Sequence, residues 1–216
     1  MNYAEDRDTG RLAVAVGVVA AGSAVLLGTY FVVGGPFGAI NDIGNAATGV
    51  LSACLAWKLR RHIAGRAGRL AVGAALIGAP ITVAGSALVM SETTGFFLAG
   101  LVSSLGFAGI GAWLVTFNRS NPQAGAWPRG LRSLGVLAGA LMALGVVAVP
   151  GILLRLDDMA TAPGWIWIAQ LGWLGIYLAY PAWAIWFGIV EARQARGPLP
   201  PGPPGSSATG SSPART

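Results

Sequence analysis

Five polar side chains recur at helical spacing within one apolar stretch of the chain: Asn41, Asp42, Asn45, Thr48 and Ser52. At 100° per residue the amide and hydroxyl side chains fall within about 60° of one another, and Asp42 extends the same stripe. Inside a membrane such a stripe must face other helices or water. Amide and hydroxyl groups there join helices or bind a solute, and a carboxylate takes up a proton or a cation. We call these five residues the polar stripe; they are the predicted site.

The last apolar stretch offers partners for the polar stripe. Gln170, Trp173 and Tyr177 share one helical face, at spacings of 3 and 4 residues. Because both stretches start on the same side of the membrane, Gln170 is expected at the depth of Asp42 and Tyr177 deeper, near Ser52. The sequence therefore predicts Gln170 or Tyr177 beside the stripe.

Two interpretations of the polar stripe stay open. In the first it fixes helix packing, since such hydrogen bonds between membrane helices contribute about 0.6 kcal/mol each on average. Asp42 would then cap a neighbouring helix or pair with Arg155. In the second the stripe binds a solute, a cation or a proton, because acids inside membranes mark function more often than other residues do. Packing is narrowly favoured, because polar residues gather strongly in one stretch only.

Catalysis has little support in this sequence. The single histidine, His62, belongs to a basic loop, and the single cysteine, Cys54, lies on the apolar face of its stretch. A nucleophile needs a base within reach, and no such pair is apparent. We predict no catalytic residue, no metal site and no cofactor, so an enzyme is the least supported class.

The composition indicates whether this chain can be a water-soluble protein. Of its 216 residues, 54% are hydrophobic and 10% are charged, and the mean hydropathy is +0.64. A soluble domain carries about 25% charged residues, so a soluble globule is excluded. One cysteine excludes a disulfide scaffold.

Six apolar stretches predict an all-α protein, a bundle of six transmembrane helices. Each has ~20 residues, enough to cross ~30 Å of hydrocarbon. Short sequence repeats suggest that the bundle consists of three helical hairpins. The expected organisation is a cytoplasmic N-terminal segment, 1–10, a transmembrane domain, 11–192, and a disordered cytoplasmic tail, 193–216, rich in Pro, Gly and Ser. The helices are expected at about 12–33, 37–57, 70–90, 96–117, 133–154 and 165–190.

Arginine and lysine set the predicted orientation. With the N-terminus in the cytoplasm, 13 of the 14 basic residues lie on the inner side and Arg155 alone lies outside. Tryptophans are expected as belts at the two boundaries, with Trp57, Trp113, Trp183 and Trp186 inside and Trp165 and Trp167 outside. Both termini are therefore predicted to be cytoplasmic. The preference for Arg over Lys favours a bacterial plasma membrane.

The basic residues also predict the partners. A cluster at the second inner loop is expected to contact anionic lipid of the inner leaflet: Lys58, Arg60, Arg61, Arg66 and Arg69. The net charge of +6 reflects this one-sided distribution and does not indicate nucleic acid. A membrane-protein partner or a second copy of the chain is compatible with the sequence. The leading function is a non-enzymatic membrane component, accessory or lipid-interacting; the alternative is a small transporter or channel that uses Asp42.

Overall fold

The computed structural model describes residues 3–63, 65–120 and 127–195. Over these ranges the chain forms helices and turns without a strand, so the all-α class is confirmed. The helices are α1 (Tyr3–Val33), α2 (Phe37–Leu59), α3 (Gly65–Met90), α4 (Phe96–Ser120), α5 (Arg129–Leu153) and α6 (Ile166–Gln194).

Two of these helices change type along their length. In α5 a 3-10 stretch, Leu144–Ala148, precedes the last α-helical turn. In α6 the stretch Gly175–Ala179 is a π-helix. Pro150 and Pro181 follow closely, and a proline cannot donate the hydrogen bond that continues a regular α-helix. The π-helical turn lies beside the candidate site, because Ile176 and Tyr177 belong to it.

Five helices are long and apolar enough to cross a membrane: α1, from Arg7 onward, and α3 to α6. They indicate a membrane-embedded protein, as predicted. Helix α2 has 23 residues, but Asn41, Asp42 and Asn45 lower its average hydropathy. The count of six spans therefore stays a prediction.

The helices form a closed ring. Each helix packs against the next in sequence, α6 returns to α1, and α4 also contacts α2 and α6. The three expected hairpins do not stand apart, because α2 packs on α3 and α4 on α5 in the same way. Helices α3 and α4 approach most closely at glycines: a Cβ atom on Gly106 would lie 2.5 Å from the Gly78 carbonyl oxygen. Small residues permit this approach of two backbones.

The two ends of the bundle differ in charge. The basic end holds the start of α1, the α2–α3 turn, the end of α4, the start of α5 and the end of α6. Every described basic residue except Arg155 lies there. The opposite end is formed by the turns 34–36, 91–95 and 154–165. At the first of these, Gly34 and Gly35 have φ angles of +73° and +71°, which glycine adopts without a steric penalty.

Asp157 joins two loops at the opposite end. Its carboxylate accepts hydrogen bonds from the backbone amides of Gly95, at 2.6 Å, and Leu98, at 3.1 Å, at the start of α4. A loop acid of this kind is often merely solvated, but here the carboxylate caps a helix N-terminus from a distant part of the chain. It fixes the end of α4 against the loop between α5 and α6.

Aromatic rings fill the interior toward the basic end. Trp183 stacks between Tyr180 and Phe187, with centroid distances of 6.0 and 5.1 Å, and Trp113 and Phe117 meet it edge to face. All five side chains are fully buried. The expected tryptophan belt is therefore wrong for Trp113 and Trp183. Both are core residues, because their indole rings pack against the other aromatic side chains between the helices and do not face the surroundings.

Two predicted boundaries fall differently or outside the description. Helix α1 begins at Tyr3, so most of the expected N-terminal segment 1–10 continues the first helix. Helix α6 ends at Gln194, within a few residues of the predicted start of the tail. Residues 196–216 of the expected disordered tail lie outside the described residues.

Candidate functional site

The polar stripe of α2 lies inside the bundle. All five of its side chains are exposed by 7% or less, and Ser52 is fully buried. The other face carries Ile40, Ile43 and Val50, which are 43–53% exposed. This rotation turns the polar side chains toward the interior of the bundle and the branched apolar side chains toward its surroundings, as an amphipathic membrane helix requires.

A small cavity lies beside the first half of the stripe, toward the opposite end of the bundle. Its polar wall comes from Asn41, Asp42 and Asn45 on α2, and from serines of α4 and aromatic residues of α6. The cavity has a volume of about 20 Å³. A cavity needs roughly 10–15 Å³ to hold a single water, so the space admits one water molecule or a cation of similar size.

Two oxygen atoms of the cavity-lining residues have no partner. Asn41 Oδ1 and Asp42 Oδ2 are buried without a hydrogen bond to any part of the chain that the structure describes. Among the described residues, an ion pair joins Arg11 and Asp8 at 3.8 Å, at the start of α1 and outside the cavity. An unpaired buried carboxylate is costly, and a proton or a cation removes that cost by neutralising it.

Four side chains of the cavity wall are held by hydrogen bonds. Asn45 Nδ2 donates to the Tyr177 hydroxyl at 2.9 Å. Ser104 donates to the Gly100 carbonyl oxygen at 2.8 Å and accepts from Trp173 Nε1 at 3.3 Å. These bonds fix the wall from α2, α4 and α6, and they leave the Asn41 and Asp42 oxygens as the acceptors without a partner.

Deeper in the bundle the stripe is fully paired. Thr48 donates to the Gly44 carbonyl oxygen at 2.8 Å. Ser52 donates its one hydrogen to the Thr48 carbonyl oxygen at 2.6 Å, and its oxygen lies 2.7 Å from the Tyr180 hydroxyl. Tyr180 must therefore be the donor in that second bond. The residue expected near Ser52 was Tyr177, but Tyr177 bonds to Asn45 and the next tyrosine along α6, Tyr180, lies beside Ser52 instead.

Gln170 does not join the site. It is half-buried, and it is absent from the cavity wall that the described residues form. Gln170 lies one turn before Trp173, whose ring meets that of Phe96 edge to face at 6.4 Å. These two rings line the cavity on that side, so the structure brings Tyr177 to the stripe and leaves Gln170 outside.

The predicted headgroup residues lie at the other end of the molecule. Lys58 is half-buried in the last turn of α2, and the four arginines are exposed around the α2–α3 turn: Arg60, Arg61, Arg66 and Arg69. The Arg60 guanidinium stacks over the Trp57 ring at 3.8 Å and donates to the Trp57 carbonyl oxygen. This cluster is thus separate from the cavity.

Sequence analysis missed three contributors to the site. Ser103 and Ser104 line the cavity from α4. Ser104 also belongs to a row of small residues at four-residue spacing, Gly100, Ser104, Ala108 and Ala112, a pattern that indicates close packing. Tyr180 was missed although it lies three residues after Tyr177, on the same side of a regular α-helix, so the helical period was a signal that could have found it. In the described residues, no group of three or more His, Cys, Asp or Glu side chains could hold a metal ion. Comparisons with protein families, with curated protein sequences and with solved structures find no match to this chain.

Proposed function

We propose that this protein is a small membrane transporter that binds one proton or one monovalent cation at Asp42. The observation that carries the proposal is the pair of buried, unpartnered oxygens, Asn41 Oδ1 and Asp42 Oδ2, in residues that line a cavity of about 20 Å³. A transporter needs polar groups from several helices that face one another within the bundle. Helices α2, α4 and α6 supply such groups here.

The charge of the site favours a monovalent species. Asp42 is the one carboxylic acid among the described cavity-lining residues, and they include no basic side chain. One negative charge is neutralised by one proton or by one ion such as Na⁺, whereas Ca²⁺ sites use several carboxylate and carbonyl oxygens. The dense aromatic packing toward the basic end argues for a binding site that alternates in access and against an open channel.

The proposal includes a topology. Six spans with both termini in the cytoplasm of a bacterial cell would put the basic end at the inner leaflet of the plasma membrane. Lys58 and the arginines of the α2–α3 turn would then contact anionic lipid headgroups. The Asp42 cavity would lie in the outer half of the membrane. Reporter fusions after residue 94 and after residue 125 test this, since the first should be extracytoplasmic and the second cytoplasmic.

The decisive experiment uses the purified full chain in sealed liposomes. We expect proton entry, followed with an internal pH-sensitive dye, or uptake of labelled Na⁺ under an imposed membrane potential. Asp42→Asn keeps the size of the side chain but removes the carboxylate that would bind the proton or the cation. Flux should therefore fall at least tenfold while the helical content is retained. Asp8→Asn is the matched control, because Asp8 is exposed and outside the cavity.

Each outcome of this experiment has a definite meaning. Flux in wild-type protein that Asp42→Asn abolishes and Asp8→Asn preserves supports the proposal. Equal flux in wild-type protein and Asp42→Asn contradicts it, and so does a wild-type protein that moves neither ion. The proton and sodium assays, run separately, identify the ion.

A second candidate function is a non-enzymatic membrane component in which the stripe fixes helix packing. The paired half of the stripe favours it, because Ser52 and Tyr180 join α2 to α6 by a fully buried hydrogen bond. Under this candidate, Asp42→Asn would change neither flux nor any partner interaction, and its stability would stay near that of the wild type. The liposome experiment therefore separates the two candidates.

A further inference from the structure

An open groove runs between α4 and α5 at the basic end, far from the Asp42 cavity. Its volume is about 620 Å³. Three arginines line its head, and small or branched apolar residues line its continuation along α5: Arg119, Arg129 and Arg132, then Val136, Leu137 and Ala140. None of these residues belongs to the cluster at the α2–α3 turn.

The charge at the head of the groove is not balanced by the protein. The described lining residues include no acid, and the first turn of α5 has none. Arg119 and Arg129 are exposed, and Arg132 is half-buried. No described acid lies within ion-pair distance of these three guanidinium groups. The N-terminus of α5 adds the positive end of its dipole at the same place.

One buried side chain anchors the head of the groove. Arg132 Nε donates to the Asn118 carbonyl oxygen at 3.4 Å. The Asn118 side chain is itself held on both sides, since its Nδ2 donates to the Leu114 carbonyl oxygen at 2.9 Å and its Oδ1 accepts from Trp183 Nε1 at 3.3 Å. Arg132 is therefore positioned by the core, while its remaining N–H groups are available to a ligand.

Polarity changes along the groove in one direction. Arg132, Val136 and Ala140 follow one another at four-residue spacing on the same face of α5, over about 12 Å of helix. Leu137 is 54% exposed on this face. A soluble phosphate compound would match only the head of such a groove, and so would a nucleic acid. A molecule with an anionic head and an apolar chain matches both parts.

We infer that this groove binds an anionic phospholipid. The lipid phosphate would accept hydrogen bonds from Arg119, Arg129 and Arg132, because one guanidinium group can donate two parallel N–H hydrogen bonds to phosphate oxygens. One acyl chain would lie along Val136, Leu137 and Ala140. Basic pockets between helices at the cytoplasmic side of membranes bind lipid headgroups in this manner. The inference is independent of the function proposed for Asp42.

The test titrates the purified full chain with phosphatidylglycerol and, separately, with phosphatidylcholine, and counts bound lipids by native mass spectrometry. A third arm uses inorganic phosphate alone, with binding followed as thermal stabilisation. The variant replaces Arg119, Arg129 and Arg132 with glutamine. Its matched control replaces Arg7, Arg11 and Arg193, which are exposed at the same end of the bundle and belong to neither the groove nor the cluster at the α2–α3 turn, so it removes the same charge.

We expect one phosphatidylglycerol to bind in clear preference to phosphatidylcholine. Each basic residue near an anionic lipid contributes about fivefold, so the groove variant should bind about 100-fold more weakly and the control within about threefold of the wild type. Leu137→Ser should weaken lipid binding about tenfold, because the acyl chain loses an apolar contact. The same variant should leave the response to inorganic phosphate unchanged.

Three results would overturn the inference. These are equal binding of the two lipids, stabilisation by inorganic phosphate as strong as by lipid, and unchanged affinity in the groove variant. If the triple variant fails to fold, as judged by circular dichroism, Arg129→Gln replaces it. Arg129 is exposed at the surface, so this variant should fold, and an affinity equal to that of the wild type would again overturn the inference.

Discussion

Replacing Gly100 with alanine should fill the Asp42 cavity without disturbing the fold. Gly100 lines the cavity from α4. A Cβ atom at this position would meet a single side chain within 4 Å, that of Trp173, whose Cζ2 atom would lie 3.6 Å away. That is an ordinary van der Waals contact. Because a methyl group is about as large as the one water that a cavity of about 20 Å³ admits, the space beside Asp42 is lost.

The expected changes in stability and in flux have opposite signs. Glycine in a helix interior is less favourable than alanine by about 0.5–1 kcal/mol, which raises Tm by roughly 1–4 °C for a chain of this size. A bound cation or water that can no longer reach Asp42 loses a charge-assisted hydrogen bond of about 1.5–3 kcal/mol. Flux should therefore fall at least tenfold in a protein that melts slightly later.

Gly73→Ala on α3 is the matched control for Gly100→Ala. A Cβ atom on Gly73 would meet nothing within 4 Å, and Gly73 is not among the residues that line the cavity. Both variants should melt later by circular dichroism, while the liposome assay separates them. Wild-type flux in Gly100→Ala would refute the assignment of the ion to this cavity. Earlier melting of Gly100→Ala would refute the free space beside Gly100.

Two further predictions concern the contacts that position the site. Tyr180→Phe and Ser52→Ala, alone and combined, should show a coupling free energy of about 0.6 kcal/mol, with ~1.7 kcal/mol as the upper range, in a double-mutant cycle of unfolding; additive effects would mean that the two hydroxyl groups do not interact. Asp157→Ala removes the cap of α4 and should cost about 0.5–2 kcal/mol of stability, measured by thermal melting, and an unchanged melting temperature would show that the cap contributes nothing.

The rotation of α2 could be predicted from its sequence. Membrane helices obey one dominant rule, that polar side chains turn away from lipid. Asn41, Asn45 and Thr48 therefore had to face inward and Ile43 and Val50 outward, as their burial shows. Five of the apolar stretches were equally predictable, because length and hydropathy alone identify them. Whether α2 also crosses the membrane could not be read from its hydropathy, since the stripe lowers it.

The partners of the stripe on α6 could be predicted only in part. A regular period of 3.6 residues places Tyr177 and Gln170 on one face, and the structure keeps Tyr177 and loses Gln170. Tyr180 is the partner of Ser52, and at three residues from Tyr177 it falls on the same side of a regular helix. The π-helical turn Gly175–Ala179 interrupts that regularity. Pro181 is the signal for this irregularity, although a proline alone does not say which adjustment the helix makes.

The serines of α4 show why packing motifs hide polar sites. Gly100 and Ser104 belong to a row of small residues that lets α4 approach its neighbours. Ser104 donates its hydrogen to the Gly100 carbonyl oxygen within the helix, which leaves its oxygen free to accept from Trp173. One small residue therefore serves both the approach of two helices and the wall of a cavity. The sequence alone reveals the first role only.

The contrast between the two halves of the interior is the main argument for a ligand at Asp42. Toward the basic end, both the nitrogen and the oxygen of the Asn118 amide have partners, and Ser52 is paired twice. The same helices thus pair the buried hydroxyl and amide side chains of that half, where the unpartnered buried side-chain atom among the described residues is the uncharged indole nitrogen Trp113 Nε1. Leaving Asn41 Oδ1 and Asp42 Oδ2 unpaired costs about 1–3 kcal/mol for each polar group, and more for a charge. Packing alone gives no reason to retain that cost, because apolar residues of similar size would remove it. A proton or a small cation in the cavity removes the cost while the residues stay, so the unpaired oxygens are best explained as ligands.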